Sequence, residues 1–354
     1  MLDARAVDVL PRVDVSALAG SDSVARRAVA GALDEAARTH GFFYVEGHGL
    51  AQTLSDDLLQ AAHEFFRLPQ SSKLRYYIGD SKNHRGYVPP GEEVFYGGSQ
   101  DTKEAFDLSL DLPADDPDYL AGNRLLGPNR WPVELPRFRE RVDAYYGAIT
   151  ALGRRLVRGF ALALELPEAH FDRLLVKPPS QLRLIHYPHR PELADAPGIG
   201  THTDYECFTI LLASAPGLEV LSRAERWIDA PPLPGCFVVN IGDLFEVLSN
   251  GRWVSTAHRV RRVPAQRFSA PLFFNLDYDA EVAPLPHLVE QDGAARYPRV
   301  LAGEHLLSQT IQSFSYLKRE LELGRVRLPE GALSLASFAK ERAERARDAA
   351  ESAS

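Results

Sequence analysis

The spacing of hydrophobic and polar positions changes character along the chain. In the first half it is helical. Residues 22–39 place Val24, Ala28, Ala32, Leu33 and Ala36 at helical intervals behind the capping candidates Asp22 and Ser23, and Gly41 ends the element. The segment GFFYVEGHG that follows, aromatic and β-branched between glycines, predicts a buried strand. Helical spacing returns over 51–67 through Leu54, Leu58, Ala62 and Phe65, after which GDSKNHRGYVPPGEE reads as a polar loop. From 135 to 165, Leu135, Phe138, Val142, Tyr145, Ile149, Leu152, Leu156 and Phe160 predict a long scaffold helix.

Beyond residue 180 the pattern becomes β-like. LRLIHYP, FTILLA, LEVLS, CFVVNIG, HRVRRV and FSAPLFFNL are short β-prone runs separated by Gly, Pro, Ser or charged turns. No helix-length segment lies between them, which argues against a βαβ sheet and for a sandwich or barrel over 180–280. A helical pattern closes the chain around Glu304 to Leu323, and a Glu-, Arg- and Ala-rich tail is expected to fray. The fold class expected is therefore mainly β with flanking α-helices.

Composition narrows the function. The 354 residues are 45% hydrophobic and 25% charged, the balance of an ordinary globular protein. A net charge of -8 and a pI near 5.8 disfavour nucleic acid as a partner, the only dense basic cluster being Arg259, Arg261 and Arg262. No apolar run is long enough to cross a bilayer, and the amino terminus, with Asp3, Arg5 and Asp8, lacks a secretory apolar region. Cys207 and Cys236 stand in no metal-binding spacing, so buried packing in a reducing cytoplasm is expected of both. Neither a membrane nor a protein partner is implied.

The candidate chemistry lies in the β region. GIGTHTDYECFTILLA sets His202 and Asp204 two positions apart; on a strand both side chains leave one face, about 7 Å apart at Cα. His258, in GRWVSTAHRV, adds a second imidazole. Two imidazoles and one carboxylate form the facial triad of non-haem iron(II), which leaves coordination positions open for a cosubstrate and O2. A structural zinc would have its four positions filled by protein. An HxD pair alone is also what an ordinary histidine beside an aspartate looks like. Arg267 and Ser269, in PAQRFSAPLFF, share one strand face where a guanidinium fork and a hydroxyl can grip a carboxylate, the plainer alternative being a surface salt bridge. Tyr187, in LRLIHYP, offers a further hydroxyl. An anion site beside an iron site points to a dicarboxylate cosubstrate.

Taken together the motifs resemble the iron(II)/2-oxoglutarate oxygenase superfamily, in its isopenicillin N synthase-like branch. GFFYVEGHGL, RGYVPPGEE, KEAFDLSLDLP, LRLIHYP, GIGTHTDYECFTILL, VVNIGDLFEVLSNGRWVSTAHRV and RFSAPLFF follow one another in family order over most of the chain. The resemblance implies a double-stranded β-helix (jelly-roll) core, with iron(II) held by His202, Asp204 and His258 and the far carboxylate of 2-oxoglutarate held by Arg267, Ser269 and Tyr187. It further implies an N-terminal α/β region over 1–130, the scaffold helix within 131–178, the catalytic core over 179–285 and a C-terminal helical region over 286–354.

The activity implied is a dioxygenase that couples O2 consumption and conversion of 2-oxoglutarate to succinate and CO2 with oxidation of a small molecule, such as an amino acid or specialised metabolite. Asp204 argues for hydroxylation, with desaturation or ring closure as related outcomes, over halogenation, for which family members replace that carboxylate with a small residue. By family position Arg85, Tyr87, Phe106, Tyr205, Phe274 and Asn275 are candidates to line the substrate pocket. Glu206 or Asp243 is a candidate to orient a ligand histidine, and His186 and His189 are expected at the surface. One position departs from the family: many plant members carry Asn where this chain has Ile185, so one cosubstrate contact is absent or taken over by water. An Arg-x-Ser pair also occurs in branch members that do not use 2-oxoglutarate. An iron oxidase in which Arg267 holds the substrate is therefore the alternative, and a non-catalytic metabolite-binding jelly roll the third reading.

Overall fold

Asp22 caps the first helix, Ser23–Thr39, its carboxylate accepting from the backbone N–H groups of Val24 and Ala25. Gly41, at φ +66°, turns the chain out of that helix, and a Cβ there would strike Thr256 and the carbonyl of Val254. The structure, a computed structural model, describes residues 9–94, 102–189, 198–261 and 265–333. The tail expected to fray, from residue 334 on, and Arg262 of the basic cluster lie outside them. The helix buries Val29, Ala30, Leu33, Ala36 and Ala37, while Val24 is 74% exposed, so the face read through Val24, Ala28 and Ala32 is rotated away from the core.

Twelve strands build two sheets: β1 (Arg12–Asp14), β2 (Phe42–Glu46), β3 (Gly86–Val88), β4 (Glu104–Leu108), β5 (Gln181–Tyr187), β6 (Ile199–His202), β7 (Phe208–Ala213), β8 (Leu218–Leu221), β9 (Trp227–Asp229), β10 (Phe237–Ile241), β11 (His258–Val260) and β12 (Arg267–Phe274). One sheet runs β1-β2-β10-β7-β12-β5-β4-β3 and the other β6-β11-β8-β9. This is the double-stranded β-helix expected, enlarged by four strands from the first 110 residues. Within the stretch read as a polar loop, β3 pairs Tyr87 with Phe106; three residues are too few to show a strand period.

Alternation along the strands divides the larger sheet. Arg183, Ile185 and Tyr187 of β5 and Arg267, Ser269 and Pro271 of β12 turn toward the cavity. Leu182, Leu184, Phe268, Ala270, Leu272 and Phe274 turn to the apolar core on the other side. The scaffold helix there is Phe138–Ala163; it buries Phe138, Val142, Tyr145, Ile149, Leu152, Leu156 and Phe160 and packs on Ser23–Thr39 and Gln52–Phe66. Each large apolar side chain so buried contributes about 1.5–3 kcal/mol. The approach is close enough that a Cβ on Gly153 would stand 2.3 Å from the ring of Phe274.

Two further elements shape the cavity. A short helix, Asp243–Leu248, follows β10 directly, which CFVVNIG did not announce. The C-terminal helical pattern is two helices, Ala302–Ser313 and Ser315–Glu322, broken at Phe314, whose backbone is extended (φ -92°, ψ 131°). Phe314 lines the cavity and packs edge-on against His84. Among the described residues no helix is long and apolar enough to cross a membrane.

Candidate active site

His202 ends β6, Asp204 sits in the turn after it, and His258 opens β11, opposite His202 in the antiparallel register. Two segments far apart in sequence thus bring three side chains together. Nε2 of His202 and Nε2 of His258 lie 3.8 and 3.6 Å from Oδ1 of Asp204, and one ligand atom from each residue falls within 4.8 Å of the others. Each imidazole turns its other nitrogen to a backbone carbonyl: Nδ1 of His202 is 2.9 Å from the oxygen of Gly200, and Nδ1 of His258 is 3.1 Å from that of Thr256. With Nδ1–H donating there, the Nε2 lone pairs face the common centre. These carbonyls occupy the place expected of Glu206 or Asp243. Glu206 instead accepts from the backbone N–H of Tyr205, and Asp243 faces His305 at 3.4 Å.

The carboxylate of Asp204 is held from behind. Its Oδ2 accepts from the hydroxyl of Thr209 and, at 2.7 Å, from Nδ2 of Asn240, leaving Oδ1 toward the two imidazoles. Thr209 and Asn240 were not singled out in the sequence, although a polar residue within each of two buried β runs is a readable signal. The turn is fixed by the start of the Asp243–Leu248 helix, where the N–H groups of Gly242, Asp243 and Leu244 donate to the carbonyls of Cys207, Asp204 and Glu206. Burial lowers the basicity of both imidazoles, that of His258 to about 4 with the neighbouring His202 adding to the effect. Burial pushes Asp204 up, but His258, His202 and its two hydrogen-bond donors outweigh it and hold the carboxyl below its ordinary value. Two neutral imidazoles and an ionised carboxylate are the protonation states a divalent cation requires.

Across the cavity, Arg267 is 1% exposed and stacks 4.7 Å over the ring of Tyr187, its register partner on β5. Its Nε donates to the carbonyl of Ala215, while its Nη1 is buried with no partner among the described residues. A buried guanidinium nitrogen left unpaired is costly unless an anion completes it. Ser269 lies one step along the same face, opposite Ile185, and both line the cavity. The same cavity takes in His202, Asp204 and His258 on one side and Arg267 and Ser269 on the other.

Of the residues expected to line the substrate pocket, Tyr205 does so. The others lie elsewhere. Tyr87, Phe106 and Phe274 stand on the core side of their strands, Tyr87 donating to Glu104 and Phe106 packing between Phe65 and Phe138. Arg85 is buried and spends its guanidinium on the carbonyls of Asn83, His84 and Leu125. Asn275, fully buried past the end of β12, accepts from the N–H of Leu276 and donates its own N–H to Ser180. His186 is not at the surface either: it is buried on the core side, 2.8 Å from Glu104 and stacked on Phe268, whereas His189 is exposed. Cys207 is buried as expected; Cys236 is half-buried.

Charged residues the sequence reading left aside crowd the cavity wall. Arg183 donates to Asp107 through Nε and Nη2, both at 2.7 Å, and to Glu93 through Nη1 at 3.0 and 2.9 Å, while Lys103 reaches Glu93 at 2.5 Å. Burial pushes the Glu93 carboxyl up, but Arg183 and Lys103 prevail and bring it to about 2. Glu206, with no such cation, is pushed up to about 8 by burial and by Asp204.

A jelly roll that gathers two histidines and an aspartate at one point, opposite a buried arginine, is the architecture of a non-haem iron oxygenase. Residues 178–276 match the model of the 2OG-Fe(II) oxygenase superfamily, and residues 10–134 that of the non-haem dioxygenase in morphine synthesis N-terminal family. A homoarginine-6-hydroxylase from Oryza sativa subsp. japonica is 35% identical over 291 residues, covering 80% of this chain and 88% of that one. The 2-oxoglutarate-Fe(II) type oxidoreductase hxnY of Emericella nidulans is 32% identical, covering 86% and 90%. Among solved structures, a full-length Neurospora crassa protein in complex with alpha-KG superposes with a TM-score of 0.74 at 26% identity (90% and 98% covered). The rice dioxygenase for auxin oxidation does so with 0.68 at 28% (93% and 100%). The chain belongs to the 2OG-Fe(II) oxygenase superfamily, as a dioxygenase that uses iron(II) and 2-oxoglutarate to oxidise a small molecule.

Proposed function

We propose that this dioxygenase hydroxylates an aliphatic C–H bond of a small polar molecule of the amino-acid class, with iron on His202, Asp204 and His258 and the far carboxylate of 2-oxoglutarate on Arg267, Ser269 and Tyr187. The observation that carries the reading is the buried Nη1 of Arg267, which lacks a partner among the described residues, on a side chain that lines the same cavity as the three converging ligands. The donor set fits iron(II), and the arginine with its neighbouring hydroxyls fits a dicarboxylate. The amino-acid class is supported by the homoarginine-6-hydroxylases of Oryza sativa and Arabidopsis thaliana among the relatives, and by the charged wall of Glu93 and Arg183.

O2 supplies the oxidising power; iron(II), when bound, would activate it, and 2-oxoglutarate would give two of the four electrons it takes up, leaving succinate and CO2 as coproducts. The chain supplies position and shelter. Asn240 and Thr209 restrain Asp204 so that one oxygen remains for the metal. The carbonyls of Gly200 and Thr256 set the tautomer of each ligand histidine. Ile199, Leu218, Val260 and Phe314 keep the cavity largely apolar, which excludes water and stray reductants. The two free cysteines support a reducing cytosol as the setting.

The test is to incubate the purified chain with iron(II), 2-oxoglutarate and O2 and a panel of free amino acids. The expected result is one succinate formed for each product heavier by one oxygen atom. Oxygen uptake that proceeds at full rate without 2-oxoglutarate would overturn the reading.

A further inference from the structure

Among the described residues, the acidic groups that line the cavity all face a cation or a histidine except one. Arg183 and Lys103 are matched by Asp107 and Glu93 in a buried quartet of direct ion pairs. Arg267 is the cation of the cosubstrate clamp. Glu206 is 3% exposed and lines the same cavity, and its carboxylate accepts a hydrogen bond from the backbone N–H of Tyr205. Among the described residues no lysine, arginine or histidine forms an ion pair with it.

Two further observations mark the same corner as a place for a ligand. Among the described residues, the hydroxyl of Thr203, a fully buried residue of the cavity wall, has no hydrogen-bond partner, and neither does the buried hydroxyl of Tyr205. A buried carboxyl and two unsatisfied hydroxyls on consecutive residues lining one cavity are costly by themselves and favourable for a bound donor. The turn cannot move away to relieve it. The N–H of Leu244 holds the carbonyl of Glu206 while that of Asp243 holds the carbonyl of Asp204, and a Cβ at Gly242 would sit 2.2 Å from the oxygen of Glu206.

We infer that Glu206 receives a cationic nitrogen at the end of the substrate's side chain, a guanidinium or an ammonium, so that the charged group sits beside the metal ligand Asp204 and next to the carbon to be oxidised. The inference rests on the hydroxylase reading above and adds to it the charge and orientation of the substrate. Thr203 and Tyr205 then offer their hydroxyl oxygens to the remaining N–H groups. A guanidinium, with five donors in a planar fork, uses all three acceptors; a neutral ureido group of the same shape uses fewer and leaves the carboxylate without a counter-charge.

The experiment loads the full chain with iron(II) and 2-oxoglutarate without O2 and measures binding by calorimetry. The probes are homoarginine, arginine and lysine, set against homocitrulline, citrulline and norleucine, whose side chains are neutral and whose α-amino and α-carboxyl groups are the same. At least one cation is expected to bind about tenfold or more tightly than its neutral partner, and Glu206→Gln should bring that ratio to within about twofold, with Glu206→Asp retaining most of it. Equal binding of cationic and neutral partners, no cation binding at millimolar concentration, or an undiminished ratio in Glu206→Gln would each overturn the assignment. The wild-type comparison stands even where a variant fails to fold. Succinate formed with any of the six compounds, charged or neutral, keeps the hydroxylase reading whatever the ratio shows, so the two fail separately.

Discussion

Arg267 and Tyr187 face each other across the β12–β5 pair, and the guanidinium of the one lies 4.7 Å above the phenol ring of the other. The stacking fixes the plane of the arginine fork, and the bond from Nε to the carbonyl of Ala215 fixes its rotation, so Nη1 is presented without a partner. Pre-set in this way, little side-chain freedom is lost when an anion arrives.

With Arg267 in the proposed role, its replacement is expected to act on the cosubstrate first. Arg267→Ala is expected to raise the KM for 2-oxoglutarate by about tenfold to a hundredfold, the loss of a charge-assisted contact. Arg267→Lys is expected to recover only part of it, because an ammonium cannot lie flat on Tyr187 while it donates to both Ala215 and the ligand. Steady-state turnover at varied 2-oxoglutarate checks both, and an unchanged KM in Arg267→Ala would remove the clamp from the mechanism.

The residues around that clamp and around the triad were legible for a physical reason. HxD, the distal histidine and Arg-x-Ser are pairs or single residues whose chemistry shows in their type, and a two-residue spacing keeps partners on one strand face whatever the strand pairs with. Face assignment is a different matter. Tyr87, Phe106 and Phe274 lie on real strands, but a one-residue change of register exchanges core and cavity, and nothing local to those strands says which side the helices cover. The charged quartet was missed because Glu93, Lys103, Asp107 and Arg183 are distributed over separate segments, and each taken alone reads as a solvated charge. The overlooked signal was a charge inside a β-prone run, as in KEAFDL and LRLIHY.

Asn240 and Thr209 should matter to the metal without touching it. Asn240→Ala removes the 2.7 Å bond to Oδ2 of Asp204 and leaves that carboxylate free to rotate. Iron(II) or manganese(II) affinity is expected to fall about 10–100-fold, as for other groups that orient a ligand. Thr209→Val, which keeps the shape and removes the donor, is expected to weaken binding in the same direction. Metal titration against retained thermal stability separates this effect from unfolding.

Gly242 is expected to tolerate no side chain. A Cβ there would lie 2.2 Å from the carbonyl oxygen of Glu206 and 3.2 Å from that of Asp204, and backbone atoms cannot swing aside as the end of a long side chain can. Gly242→Ala should cost about 1–3 kcal/mol of stability, the range for forcing extra volume into packed structure. It should also lower iron occupancy, because the displaced turn carries Asp204. A calorimetric Tm equal to wild type with full iron loading would show that the turn is looser than its contacts indicate.

Acid should unravel the cavity wall through Glu93. Burial alone would raise this carboxyl, yet Arg183 and Lys103 bring it to about 2 from an ordinary value of 4.5. A folded-state value below the unfolded one means that the ionised form is favoured by folding. The stabilisation is therefore complete above pH 4.5 and is lost progressively as pH falls toward 2. Glu93→Gln removes the anion while Lys103 stays buried, and the expected cost at neutral pH is about 3–5 kcal/mol. The wild-type advantage over that variant, measured by urea unfolding, should be flat from neutrality down to about pH 5 and shrink below it, since the carboxyl of the unfolded chain takes up its proton there while that of the folded chain does so only near pH 2. Asp107 responds in the opposite sense, burial having raised it despite Arg183, so it gives up its charge before Glu93 does. An advantage that stays constant through pH 3 would show that Glu93 stabilises the fold by shape rather than by charge.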